Sequence, residues 1–166
     1  MSLHLGKSEL ELVLFEFQHG VICYMEAFHR HLESQMLALT GDPGLSAEDC
    51  IILHAIRLGD RAKSIPDIQH FTNRGDIANV QYSVKKLVKA GLARNAHKKA
   101  TVRGTRYELT PQGKTLTDRY VQSRRELIEM IPAEPAKLIA ELKKANALLI
   151  TLTGLYDHVS RTEAAR

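Results

Sequence analysis

Two runs of residues in the middle of the chain carry side chains suited to gripping and reading a polyanion. The first is Asn79, Gln81, Tyr82, Lys85, Lys86 and Lys89, within DIANVQYSVKKLVKAG. At helical spacing Ile77, Val80, Val84 and Leu87 fall on one side of this segment, and Ala78 joins the polar residues on the other. An Asn or Gln amide donates and accepts together, which matches the N6/N7 edge of adenine in the major groove. A tyrosine can reach a phosphate or a thymine methyl, and lysines farther along the helix suit phosphates better than bases. The second run is the basic stretch HKKATVRGTR, where Lys98, Lys99, Arg103 and Arg106 are candidates for phosphate or minor-groove contact. Taken singly, the first run is equally a solvated amphipathic helix and the second an ordinary charged loop.

The elements needed to position these side chains are legible around them. Ser64 caps a short helix that has Pro66 in its first turn, where the missing N–H costs nothing. Thr72-Asn73-Arg74-Gly75 reads as a turn, and Asp76 as the N-cap of the polar-faced helix, which runs to about Ala90 and stops at Gly91. Leu92-Ala93-Arg94 begins a strand, Thr105 to Leu109 returns it, and Thr110-Pro111 starts a further helix. That order is a helix-turn-helix followed by a basic wing, and it predicts duplex DNA as the partner. The candidate contacts are Ser64, Arg74, Ala78, Asn79, Gln81, Tyr82, Lys85, Lys86, Lys98, Lys99, Arg103 and Arg106. Charge placement agrees: the formal net charge is only +4, but the basic residues between Arg57 and Arg125 are opposed only by Asp60, Asp67, Asp76, Glu108 and Asp118.

The flanks read as long helices. Ser8 and Glu11 form a capping-box pattern that starts a helix reaching about Leu39, before Gly41-Asp42-Pro43-Gly44. Its apolar residues Leu10, Leu14, Phe17, Val21, Tyr24 and Phe28 recur at steps of four and three. Ser46 caps a helix from Ala47 to about Leu58 with the face Cys50, Ile51, Leu53, His54, Ile56 and Leu58. A fifth helix runs to about Ile131, and after Pro132 and Pro135 a last one extends to about Ser160. On it Leu138, Leu142, Ala145, Leu149, Leu152, Tyr156 and Val159 keep a heptad register, a narrow stripe that seeks a partner helix. That partner is either the first helix of the same chain or a second copy, in which case Leu10, Leu14, Phe17, Leu138, Leu142, Leu149, Leu152 and Tyr156 form a homodimer interface. The expected fold is mainly α with a small β-wing. It comprises an N-terminal dimerisation helix (1–44), a winged helix-turn-helix core (45–113) and C-terminal dimerisation helices (114–166).

Other functions find little support. There is no glycine-rich nucleotide loop, no GxSxG and no HExxH, so an enzyme is not expected, and no cofactor is implied. His19, Cys23, His29 and His31 crowd the first helix, but His29 and His31 point in different directions, so no metal is expected. The two cysteines, Cys23 and Cys50, lie in helical patterns without a disulfide framework, which suits a reducing cytoplasm. The first residues lack the apolar core of a signal peptide, and the apolar run from Ala147 to Leu152 is far too short to span a membrane.

From Leu45 to Gly113 the chain resembles the winged-helix core of MarR-type transcription regulators. The resemblance is carried by LSAEDCIILHAI, by DIANVQYSVKKLVKAGLARN and by YELTPQGK after the wing. The long first helix and paired last helices are similar to that family's dimerisation region. The resemblance implies a homodimer on pseudo-palindromic promoter DNA, often a repressor, released by a small-molecule or oxidant signal. It also implies an effector pocket between dimer helices and core, for which His19, Cys23, His54 and Arg57 are candidates, and raises Cys23 as an oxidation sensor. The wing departs from the pattern: Thr101 to Arg106 lacks the Asp of an Asp-Arg-Arg-type tip that would orient the arginine. The competing expectation is a winged-helix interaction or dimerisation module without specific DNA binding.

Overall fold

The computed structural model describes residues 7–96 and 104–164. It divides into two compact units, Met1–Ser123 and Arg124–Arg166. The first unit holds helices α1 (Glu9–Thr40), α2 (Ala47–Arg57), α3 (Ile65–Thr72) and α4 (Ile77–Lys89), with strands β1 (Lys63–Ser64), β2 (Ala93–Asn95) and β3 (Arg106–Leu109). Helix α5 (Pro111–Glu129) starts in the first unit and ends in the second, which also holds α6 (Pro135–Ala164). The fold is thus mainly α with a small antiparallel sheet, of strand order β1-β3-β2.

Helix starts and stops follow the local chemistry. Ser8 and Glu11, Ser46 and Asp49, and Ser64 and Asp67 each complete a capping box, in which two orphan amides are satisfied reciprocally. Gly41 ends α1 at φ 69° and Gly91 follows α4 at φ 73°, left-handed positions that a side chain would strain. The Thr110 hydroxyl accepts from Gly113 N–H at 3.1 Å and donates to the Gly91 carbonyl at 2.7 Å, so the wing's return strand runs straight into α5.

One core serves the whole first unit. Leu32 and Met36 from the end of α1 join Ile52, Leu53 and Ile56 of α2, Ile68 of α3, Val80, Val84 and Leu87 of α4, and Leu92, Leu109 and Leu116. Each such side chain contributes about 1.5–3 kcal/mol by leaving water. Three details differ from the sequence reading. Leu58 lies past the end of α2 in a one-turn 3-10 segment and is exposed, while Ile52 and Ala55 take the buried positions. Ile77 stands 43% exposed at the first position of α4, before the helix has turned its apolar side onto the core. The strand β1 was not anticipated. It pairs Lys63 with Tyr107 and Ser64 with Arg106. It is anchored by the Lys63 side chain, whose ammonium donates to the Leu58 and Arg61 carbonyls. Burial, more than the neighbouring Arg61 charge, pushes that ammonium's pKa down.

Gly113 is the tightest backbone approach. A Cβ there would run into the Leu92 carbonyl, and that carbonyl, held between α4 and β2 and accepting from Thr110 N–H at 3.1 Å, cannot step aside. Gly113→Ala is therefore expected to lower unfolding stability by about 2 kcal/mol or more in urea titrations. Gly20→Ala on α1, with nothing near its ideal Cβ, is expected to be neutral or stabilising.

Candidate nucleic-acid interface

Helix α4 is split into two faces by burial. Val80, Ser83, Val84 and Leu87 are inside, and Ala78, Asn79, Gln81, Tyr82, Lys85 and Lys89 are exposed. The Asp76 carboxylate caps the helix by accepting from Ala78 N–H at 2.8 Å, and its other oxygen accepts from the Asn79 side-chain amide at 2.9 Å. The helix start thereby fixes the orientation of Asn79. Tyr82 stands 64% exposed one turn on, with the Lys86 ammonium 5.7 Å from its ring centroid. Gln81 and Lys85 line a groove of about 410 Å³ with Ser64, Ile65 and Pro66 from the start of α3 and Gly104, Thr105 and Tyr107 from the wing base. Thr105 and Tyr107 were not among the sequence candidates. Strand alternation could have found Tyr107, since it points away from the Glu108 face.

The basic candidates differ sharply in what they hold. Lys86 forms an ion pair with Asp49, a carboxylate with no exposed surface that also accepts from Ser46 N–H at 2.9 Å. Arg74, in the turn before α4, pairs with Glu48, and His29 of α1 lies 3.9 Å from the same carboxylate. Arg106 donates to the Ala62 carbonyl at 3.1 Å and to Asp67 at 3.3 Å, so it ties β3 to the start of α3. Asp67's pKa is held down chiefly by the Ser64 backbone and hydroxyl donors, with Arg106 a lesser cause. Its contribution to stability is present above the usual carboxylate pKa, near 4, and fades as pH falls through the depressed value. Ser64 itself is occupied as the α3 cap. Lys98, Lys99 and Arg103 lie outside the described residues. Of the lysines on α4, then, Lys85 and Lys89 are exposed, whereas Lys86, like Arg74 and Arg106, is paired with a carboxylate of the first unit.

The effector candidates occupy several places. His19 and Cys23 face each other on exposed α1, with Cys23 Sγ 3.7 Å from His19 Nε2. His54 packs against Tyr120, ring centroids 4.3 Å apart. Arg57 pairs with Asp60 and reaches Asp118 at 3.5 Å. Burial, reinforced by Asp49, pushes the Cys50 thiol up to about 12, which leaves it protonated and unreactive at neutral pH. Among the described residues no three His, Cys, Asp or Glu side chains are grouped to hold a metal ion, and no helix is long and apolar enough to cross a membrane.

Residues 45–113 match the family described as winged helix DNA-binding domain. No curated protein matches the sequence. Among solved structures, the chain is similar to a MarR family transcription regulator at 17% identity and TM-score 0.69, covering 87% of this chain and 93% of that one. It is similar to Streptococcus pneumoniae FabT, solved in complex with DNA, at 16% identity and TM-score 0.60, covering 84% and 99%. It is also similar to Bordetella bronchiseptica BpsR, whose DNA binding is regulated by 6-hydroxynicotinic acid, at 23% identity and TM-score 0.51, covering 76% and 98%.

Two outcomes test the assignments. Lys86→Ala leaves Asp49 buried and unpaired, and is expected to cost about 3 kcal/mol in urea unfolding. Unchanged stability would mean that Lys86 is free for another role. In thiol counting with a disulfide reagent at neutral pH, one cysteine (Cys23) is expected to react in the native chain and both after denaturation.

Proposed function

We propose that this chain, whose residues 45–113 are a winged helix DNA-binding domain in a fold shared with MarR family regulators, is a dimeric, sequence-specific transcription regulator. The observation that carries the reading is the exposed face of α4, where amides and an aromatic ring precede two exposed lysines on a helix fixed to its core by an ion pair. In this reading the start of α4 enters the major groove, where Gln81, Tyr82 and Asn79 meet base edges. Lys85 and Lys89 then meet phosphates, and the wing carrying Lys98, Lys99 and Arg103 follows the adjacent backbone. FabT's structure with DNA supports this use of the fold.

Dimerisation is supported by what one chain leaves uncovered. On α1 Leu10 is 77% exposed and Leu14 is also exposed, and along α6 Leu142, Leu149 and Tyr156 are exposed, with Leu138 and Leu152 half-buried. Apolar rows of this length favour a second helix over water. In this account 1–44 and 114–166 pair two copies and set the spacing of two cores, so the operator is a pseudo-palindrome. Bound to a promoter, the dimer blocks transcription until a small molecule or oxidant lowers its DNA affinity. BpsR, regulated by 6-hydroxynicotinic acid, gives the small-molecule route its support.

Gel shifts on the chain's own promoter region test the reading. Nanomolar-range binding that falls steeply with salt is expected. Gln81→Ala should relax base preference, while Lys85→Ala should weaken all sequences alike and reduce the salt slope by about one. Equal affinity for random DNA would refute sequence-specific recognition.

A further inference from the structure

The first unit has a second, smaller cleft beside the sheet, lined by other residues than the α4 groove. Tyr107 lines the groove with Gln81 and Lys85, whereas Glu108 lines this cleft of about 80 Å³. Its apolar floor is Ile56 and Leu109, and around them stand Arg57, Arg61, Arg94 and Lys114 with the carboxylates Asp60 and Glu108. Four cations against two carboxylates leave an excess of two positive charges on the lining.

Both carboxylates are already engaged. Asp60 pairs with Arg57, placed there by a backbone turn in which Gly59 and Asp60 both take positive φ, 69° and 48°. Glu108 pairs with Arg94 at 2.8 Å. Arg57 is held a second time by Asp118, at 3.5 Å. Among the described residues Arg61 and Lys114 form no ion pair. Exposed cations are ordinarily content with water. These two stand beside the apolar residues Ile56 and Leu109 and beside two arginines already paired with carboxylates, so an anion entering between them meets two cations whose neighbouring carboxylates are engaged elsewhere.

We propose that this cleft binds a short-chain organic acid, its carboxylate received by Arg61 and Lys114 and its alkyl end by Ile56 and Leu109. One water takes roughly 10–15 Å³ on a comparable scale, so the space suits a body of about six heavy atoms. The walls come from the end of α2, the turn after it, both wing strands and the start of α5. An occupant therefore cross-links the base of the wing to the helix that leaves the DNA-binding core. On that ground the organic acid is an effector; this second step rests on the DNA-binding reading above, whereas the binding step does not.

Calorimetric titration of the full chain with butyrate at fixed ionic strength tests the site, with neutral butyramide and inorganic phosphate as comparison ligands. Saturable binding of one butyrate per chain, with a dissociation constant on the order of 1 mM or below, is expected, and little binding of butyramide. Arg61→Gln and Lys114→Gln, both at exposed side chains, should each weaken butyrate about tenfold without moving the melting temperature. Butyrate binding no tighter than butyramide, or undiminished in both variants, overturns the proposal. Phosphate binding more tightly than butyrate and displacing it overturns the organic-acid assignment in favour of a plain oxyanion site. Gel shifts with and without butyrate score the effector step separately. A chain that binds butyrate and shifts no DNA refutes the DNA-binding reading and leaves the cleft standing.

Discussion

Asp49 sits in the first turn of α2 with no exposed surface, and one of its oxygens gathers the Ser46 amide, the Ser46 hydroxyl and the Lys86 ammonium. Taking a carboxylate out of water costs several kcal/mol, which the pair regains only with close geometry and further hydrogen bonds. Apolar contacts alone could hold α4 on its core, since Val80, Val84 and Leu87 are fully buried. They are non-directional, however, and tolerate a helix that slides or rotates slightly. An ion pair between the start of α2 and the third turn of α4 does not. It sets the rotation at which Asn79, Gln81 and Tyr82 face outward, and the whole surface reading depends on that rotation.

The same device recurs around the helix-turn-helix. Glu48 holds Arg74 in the turn, and Asp67 holds Arg106 at the wing base. Three cations that look, in sequence, like part of a phosphate-binding field are thus committed to internal partners. Among the described candidates on α4, Lys85 and Lys89 are the lysines left exposed without a carboxylate partner. A net charge of +4 is a sum over the chain, whereas the local field is set by the cations that remain unpaired at the surface.

What could be read from sequence was local. Ser8, Ser46, Ser64 and Asp76 announce helix starts, and Gly41 and Gly91 announce stops, because capping chemistry acts within four residues. The two faces of α4 follow from a 3.6-residue period. What was missed was either too short or too distant. The strand β1 has two residues and no alternation to detect, and it exists because β3 returns beside it. Ile77 and Leu58 fit the periodicity and still face water, because each lies where a helix begins or has already ended. The pairing of Lys86 with Asp49 spans 37 positions, and no periodicity connects them. The candidate site was therefore legible as a set of residue types on one helix, while the division into surface groups and structural anchors needed the fold.

The wing and the long terminal helices extend the argument to two copies. A core this small presents one short helix to a groove, and the specificity of one half-site is limited to a few base pairs. Exposed apolar rows on α1 and on α6 give a physical reason for a second core held at fixed spacing. The most direct measurement is selection of DNA bound by the full chain from a random duplex pool, followed by sequencing. The account predicts enrichment of an inverted repeat whose half-sites lie about 10 base pairs apart, one helical turn. A pool that emerges without any enriched sequence would contradict it.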